Sequence, residues 1–158
     1  MYKKNTGKAL ENLIEKQAEF LHAKGLLYLK KVDPPTRTIN AKCGKITTLL
    51  SNPFPDFIGC LPNGRMVCIE AKSNQEKSLP FGKQGVRQKQ LDDLIKWEKS
   101  GAIVGIIWQN PQGYYWVTLD DIRKSVAKDR KSVPIIYAKE IKNEIGCILN
   151  FIKYLHNG

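Results

Sequence analysis

Histidine is nearly missing from this chain: His22 and His156 are the whole supply in 158 residues. That leaves little material for a zinc site or for histidine-based hydrolysis, and both read as ordinary surface or interface residues. Cysteine is also scarce, and Cys43, Cys60, Cys68 and Cys147 include no Cys-x-x-Cys pair. They read as reduced, mostly buried thiols of a cytosolic protein. No stretch approaches the ~20 apolar residues of a spanning helix. The opening Met1-Tyr2-Lys3-Lys4-Asn5-Thr6 leads into no signal-peptide core. Internal repeats and low-complexity tracts are lacking too. The last shortage is of acidic residues: the formal net charge is +11, and no carboxylate occurs from Thr36 through Pro55. A basic excess of that size points to nucleic acid first and an anionic membrane second. The membrane is disfavoured because the cations are scattered. The one strongly amphipathic segment, 139–156, sets only Lys139, Lys142 and Lys153 against two glutamates.

What is present fits a single domain over 1–158, since 42% hydrophobic content can fill a core. The chain is organised around Pro55-Asp56-Phe57-Ile58-Gly59 and Ile69-Glu70-Ala71-Lys72. Met66 to Lys72 reads as a strand, so Val67, Ile69 and Ala71 face one way and Cys68, Glu70 and Lys72 the other. Pro62-Asn63-Gly64 is the turn that folds it back on 56–61, which brings Asp56 close to Glu70. Two carboxylates at one point suit Mg²⁺, which prefers oxygen ligands and retained water. A lysine beside them can orient an attacking water or neutralise charge developing on a phosphate. The ordinary alternative is a same-face Glu-x-Lys ion pair on a surface strand. The proline before Asp56, the apolar strand before Glu70, the tight turn and the basic chain together favour phosphodiester cleavage.

Around this hairpin the chain reads as follows. Asn5 or Thr6 caps a helix from about Gly7 to Ala23 that ends at Gly25, with Leu10, Leu13, Ile14, Ala18 and Leu21 as its buried stripe. Glu11 borders the stripe, either as a solvated flank paired with Lys8 or as a third carboxylate for the metal, and both remain open. Leu26 to Val32 is a strand. Residues 33–54 form a long excursion whose Asp33-Pro34-Pro35-Thr36-Arg37-Thr38 opening resists regular structure. Arg37, Lys42 and Lys45 make it a candidate DNA-touching arm, against a floppy solvated insertion. Residues 73–85 read as a loop, followed by a helix from about Val86 to Lys99. Lys83, Arg87 and Lys89 lie at its N-terminal end, where free N–H groups favour phosphate. Gln90 by itself reads as a polar helix residue. Ala102 to Trp108 is a strand buried on both faces. Tyr114 to Thr118 returns from the turn at 110–113, its aromatics packing the sheet rather than stacking on bases. A short helix begins at Leu119, capped by Thr118 or Asp120. Residues 127–132 read as a mobile charged link, and 139–156 as an amphipathic helix.

The order helix–strand–hairpin–helix–strand–strand with Pro-Asp…Glu-x-Lys resembles the PD-(D/E)xK nucleases. Within them the chain is similar to Holliday junction resolvases of the RecU and Hjc types. Gly7-Lys8-Ala9-Leu10-Glu11 resembles their N-terminal Gly-x-x-x-Glu. Pro55 to Gly59 with Glu70-Ala71-Lys72 matches the catalytic core. Leu79-Pro80-Phe81, with Gln90, Leu94, Trp97 and Gly101, resembles the Ser-Phe-Pro-Leu loop and Gln-bearing helix. Where that family has a histidine before the glutamine, this chain has Lys89.

The resemblance implies an α/β (α+β) restriction-endonuclease-like core, a mixed sheet flanked by helices, with a protruding stalk at about 33–54. It implies that Glu11, Asp56 and Glu70 bind Mg²⁺, or Mn²⁺ in its place, that Lys72 activates water and that Gln90 supports the site. It also implies branched DNA as substrate, paired cuts by a homodimer, and action in the cytoplasm of a bacterium or archaeon, or of a phage host. Two rivals remain. One is a restriction- or repair-type endonuclease of the same fold acting on duplex or flap DNA; the other is a non-catalytic basic nucleic-acid-binding module.

Overall fold

The computed structural model of the protein describes residues 6–41, 44–49, 54–82, 85–142 and 150–156. Helix α1 (Thr6–Ala23) buries Leu10, Ile14, Ala18 and Leu21, the stripe that the spacing predicts. Its predicted cap at Asn5 or Thr6 lies outside the described residues and side chains. Gly25 ends the helix at φ +68°, a left-handed conformation that suits a residue without Cβ. Strand β1 (Tyr28–Lys31) follows. The chain then leaves in a separate two-stranded ribbon, β2 (Thr36–Ala41) with β3 (Gly44–Leu49), and returns as β4 (Phe57–Cys60). The predicted turn carries it into β5 (Met66–Ser73), with Gly64 at φ +81° and its N–H bonded to Leu61 O at 2.8 Å. Next come β6 (Ser78–Pro80), α2 (Gln88–Lys99), β7 (Ile103–Asn110), β8 (Gly113–Val117) and α3 (Leu119–Val126). They are followed by β9 (Ser132–Pro134), a 3₁₀ turn at Ile135–Tyr137, β10 (Lys139–Glu140) and α4 (Ile152–Leu155).

Six strands form one mixed sheet in the order β1-β4-β5-β7-β8-β10, with β5 and β7 parallel and the other neighbours antiparallel. Alternation along the strands sorts the core into two layers. Leu29, Phe57, Val67, Ile69, Ile103, Ile107 and Trp116 pack beneath α1, joined by Ile141, Phe151 and Leu155 from the last part of the chain. On the other face Cys68, Val104, Ile106, Trp108, Tyr115 and Val117 meet Leu91 and Leu94 of α2 and Leu119 and Ile122 of α3. Helix α2 joins the end of β5 to the start of the parallel β7, so α2 begins at the C-terminal end of β5. Helix α3 begins where β8 ends, as predicted capped by Thr118, whose hydroxyl accepts from Asp121 N. The strand after it, β9, pairs with β6 beside the C-terminal end of β5.

Four expectations change. The excursion over 33–54 is not irregular throughout. Thr36, Arg37 and Thr38 lie in β2, because Pro34 and Pro35 stop short of the paired residues and β-branched Thr and Ile favour a ribbon. The 73–85 loop contains β6, and the 127–132 link is a bonded turn. In that turn Lys128 N and Arg130 N both donate to Ser125 O, and Asp129 stands at φ +54°. The helix over 139–156 is not continuous. Lys139 and Glu140 pair with Trp116 and Tyr115, and Ile141 N donates to Tyr114 O at 2.7 Å. An open sheet edge offers backbone partners that outweigh helical spacing. Residues 143–149 lie outside the description.

Candidate active site

The site is built by hairpin register. Phe57 opposes Ile69, so one step further out Asp56 opposes Glu70, as expected. Asp56 is fixed there by accepting a hydrogen bond from Ala71 N through Oδ2 at 2.8 Å. Glu70 is 1% exposed, and its Oε1 lies 2.8 Å from Lys72 Nζ. Gln90, reaching from the first turn of α2, donates its amide N–H to the same oxygen. Its carbonyl accepts from Arg87 N at 3.1 Å, which leaves the amide no freedom to turn over. The structure therefore brings together Asp56, Glu70, Lys72 and Gln90.

Electrostatics shows what this cluster is short of. Burial first, and the neighbouring Asp56 charge second, push the Glu70 carboxyl up to about 7, while Lys72 pulls it back. One ammonium does not offset burial plus a second carboxylate. A divalent cation would, and the hard oxygen donors facing each other are what Mg²⁺ prefers. Among the described residues no three His, Cys, Asp or Glu side chains gather as a metal-binding group. The Asp56–Glu70 pair is thus the donor set on offer, and Mg²⁺ completes such sites with water and phosphate oxygens.

Glu11 stands apart. It pairs with Lys31 Nζ at 2.9 Å. Lys31 aligns with Phe57 and lies two residues on from buried Leu29, on the same side of the strand, so this pair lies on the α1 face, opposite Glu70 and Lys72. The Glu11 hydrogen bond is the main reason the Lys31 amine is raised above its ordinary value. Of the basic residues predicted to touch DNA, Arg37 and Lys45 are exposed on the ribbon. Register sets them on opposite faces of it, since Arg37 aligns with Thr48 and Lys45 with Asn40. Arg87 caps α2 and Lys89 is in its first turn, both exposed and near Gln90. Lys42 and Lys83 lie outside the described residues.

Sequence reasoning missed Asn74 and Trp108. The Trp108 indole N–H donates to Asn74 Oδ1 at 3.0 Å, and Asn74 Nδ2 donates to Ser78 O at 2.9 Å. Trp108 lies beside Lys72 in the parallel register, so this clamp sets the end of the strand that carries Glu70 and Lys72. The signal was an asparagine at a strand end, where its side chain can accept from its own backbone two residues on, here Glu76 N.

A mixed sheet layered between helices, with Asp, Glu and Lys at the open end of its central hairpin, is the architecture of a PD-(D/E)xK nuclease. The sequence profile of the recombination protein U family matches residues 5–157, and the chain belongs to that family; a Holliday junction resolvase function follows from membership. No curated protein matches the sequence. Among solved structures it is similar to the Hjc Holliday junction resolvase of Archaeoglobus fulgidus, at 13% identity and TM-score 0.49 over 74% of this chain and 75% of that one. It is also similar to the crystal structure of SSO0001, at 17% identity and TM-score 0.37 over 79% and 60%.

Proposed function

We propose that this resolvase is a divalent-metal-dependent endonuclease that cuts two opposed strands of a four-way DNA junction symmetrically, working as a homodimer. The observation that carries the reading is the Asp56–Glu70 pair, one member almost fully buried, with Lys72 Nζ 2.8 Å from Glu70. Asp56 and Glu70 would hold Mg²⁺ or Mn²⁺, which when bound would neutralise phosphate charge and acidify a water. Lys72, already donating to Glu70, has further N–H groups to orient the attacking water and to meet charge growing on the phosphate. Gln90 holds the Glu70 carboxylate in one orientation, so that little reorganisation accompanies the reaction. Water attacks the phosphorus in line and displaces the 3′ oxygen, which leaves 5′-phosphate and 3′-hydroxyl ends, as membership of the resolvase family implies. Glu11 is proposed to act from the α1 face, and Arg37, Lys42, Lys45, Lys83, Arg87 and Lys89 to hold phosphates. Two symmetric cuts need two sites, and an isologous dimer is the commonest way to supply them.

The test is cleavage of an immobile four-way junction with Mg²⁺, beside duplex, single-stranded and flap DNA, with Asp56→Asn as control. Paired nicks on opposed arms, lost in the control, are expected. Equal cutting of all substrates would retain the chemistry and discard the junction. Binding without cutting in Mg²⁺ or Mn²⁺ would discard the chemistry.

A further inference from the structure

Beyond the cations already considered, a second basic surface lies at the catalytic end of the sheet. Between Asp121 and Glu140 the sole carboxylate is Asp129, against Arg123, Lys124, Lys128, Arg130, Lys131 and Lys139. Arg123 is occupied by Glu98 and Asp120. Lys128, Arg130 and Lys131 are exposed on the 127–131 turn, and Lys77 is exposed just before β6. Among the described residues none of these four forms an ion pair with a carboxylate, including their sequence neighbours Glu76 and Asp129. Two of them are held in place all the same. Lys128 Nζ donates to the Tyr137 hydroxyl at 2.7 Å and lies 5.1 Å from the ring centre, and the Arg130 guanidinium lies 5.8 Å from the same centre. The Tyr137 hydroxyl is lowered below its ordinary value, chiefly by the Lys128 hydrogen bond and then by the Lys128 and Arg130 charges. Concentrated positive charge without acidic partners is costly to maintain unless an anion meets it.

The position of this surface is fixed relative to the site. Phe81 N donates to Lys131 O and Ile135 N to Lys77 O, so the turn and the β6–β9 ribbon are one unit. The Asn74 clamp ties that unit to the strand carrying Glu70 and Lys72. From this geometry we infer that Lys77, Lys128, Arg130 and Lys131 form a phosphate-binding track for a duplex arm of the DNA, with Tyr137 positioning two of the cations. The inference rests on the nuclease reading and adds to it a place where an arm lies while its strand is cut. A track on the same rigid unit as the catalytic strand fixes the arm's distance from Glu70, which the exposed β2–β3 ribbon does not do.

The experiment is binding of a four-way junction in Ca²⁺, which supports binding while limiting cleavage, over a series of salt concentrations. Each lost phosphate contact should lower the slope of log affinity against log salt by roughly 0.9. The combined variant Lys128→Ala, Arg130→Ala, Lys131→Ala is therefore expected to lower it by about 2 to 3. A second variant of equal charge, Lys16→Ala, Lys24→Ala, Lys99→Ala, removes exposed cations elsewhere and should leave the slope unchanged. Tyr137→Phe should weaken junction binding by a smaller factor, since only the hydroxyl contact to Lys128 is lost. Melting temperatures check that each variant folds. An unchanged slope in the first variant, or equal losses in both, would overturn the track. Failure of the wild type to bind or cut the junction would instead overturn the nuclease reading.

Discussion

At the scale of single residues, the decisive feature is a buried carboxylate that its own protein does not fully neutralise. Glu70 titrates near 7 without metal, against an ordinary value of 4.5. A raised folded-state value means that the native protein holds the proton more tightly than the unfolded chain. Without metal, the contribution of Glu70 to stability is therefore fully present below about 4.5 and is lost as the pH rises through about 7, by roughly 3 kcal/mol. Urea unfolding in a chelator from pH 5 to 8 measures this directly, and Mg²⁺ should restore stability at the alkaline end. Glu70→Gln should flatten the profile; a slope that survives this change would mean that another group is responsible. The pairing of Asp56 with Glu70 was legible in the sequence because it follows from counting residues out from Pro62-Asn63-Gly64. The partner of Glu11 was not, because Lys31 lies on another element and only packing brings the two together.

At the scale of elements, the β1–β4 junction carries a specific constraint. A Cβ on Gly59 would stand 1.9 Å from Tyr28 O and 2.7 Å from Leu29 Cα, which is backbone and cannot step aside. The close approach, not a left-handed turn, is what the last residue of Pro55-Asp56-Phe57-Ile58-Gly59 serves. Gly59→Ala is expected to push β1 away from β4 and lower the melting temperature, with a loss of at least 1–3 kcal/mol by analogy with overpacked cores. Hydrogen exchange should show the damage at Leu29 to Lys31 first. A variant as stable as the wild type would refute the constraint. Elements with strong local periodicity were legible: α1, α2, β5, β7 and the turn into β8. Those made by distant pairing were not. Strands β6 and β9 are three residues each, carry prolines at their ends, and exist because they pair across more than fifty residues of chain. Of the isoleucines that give 139–156 its helical spacing, Ile141 is buried and Ile152 half-buried, while Ile145 and Ile148 lie outside the described residues. Ile141 is presented by the sheet edge, not by a helix, because its N–H bonds to Tyr114 O.

At the scale of the whole molecule, the β2–β3 ribbon is an appendage inserted at a closed point, because Lys31 and Phe57, which flank it, are already neighbours in the sheet. Ile39 and Ile46 oppose each other across it and both are exposed. Replacing 36–49 with a short Gly/Ser linker should leave thermal unfolding within a few degrees of the wild type. It should also reduce the preference for junction over duplex DNA in competition binding. A collapse in stability would show that the ribbon belongs to the core after all. The opposite holds for the layer under α1. Its first buried residue is Leu10, and its last are Phe151 and Leu155. Residues far apart in the sequence therefore share one layer, so α1 and the segment carrying Phe151 and Leu155 work as the two halves of a clasp: loosening either bares the same apolar face of the sheet.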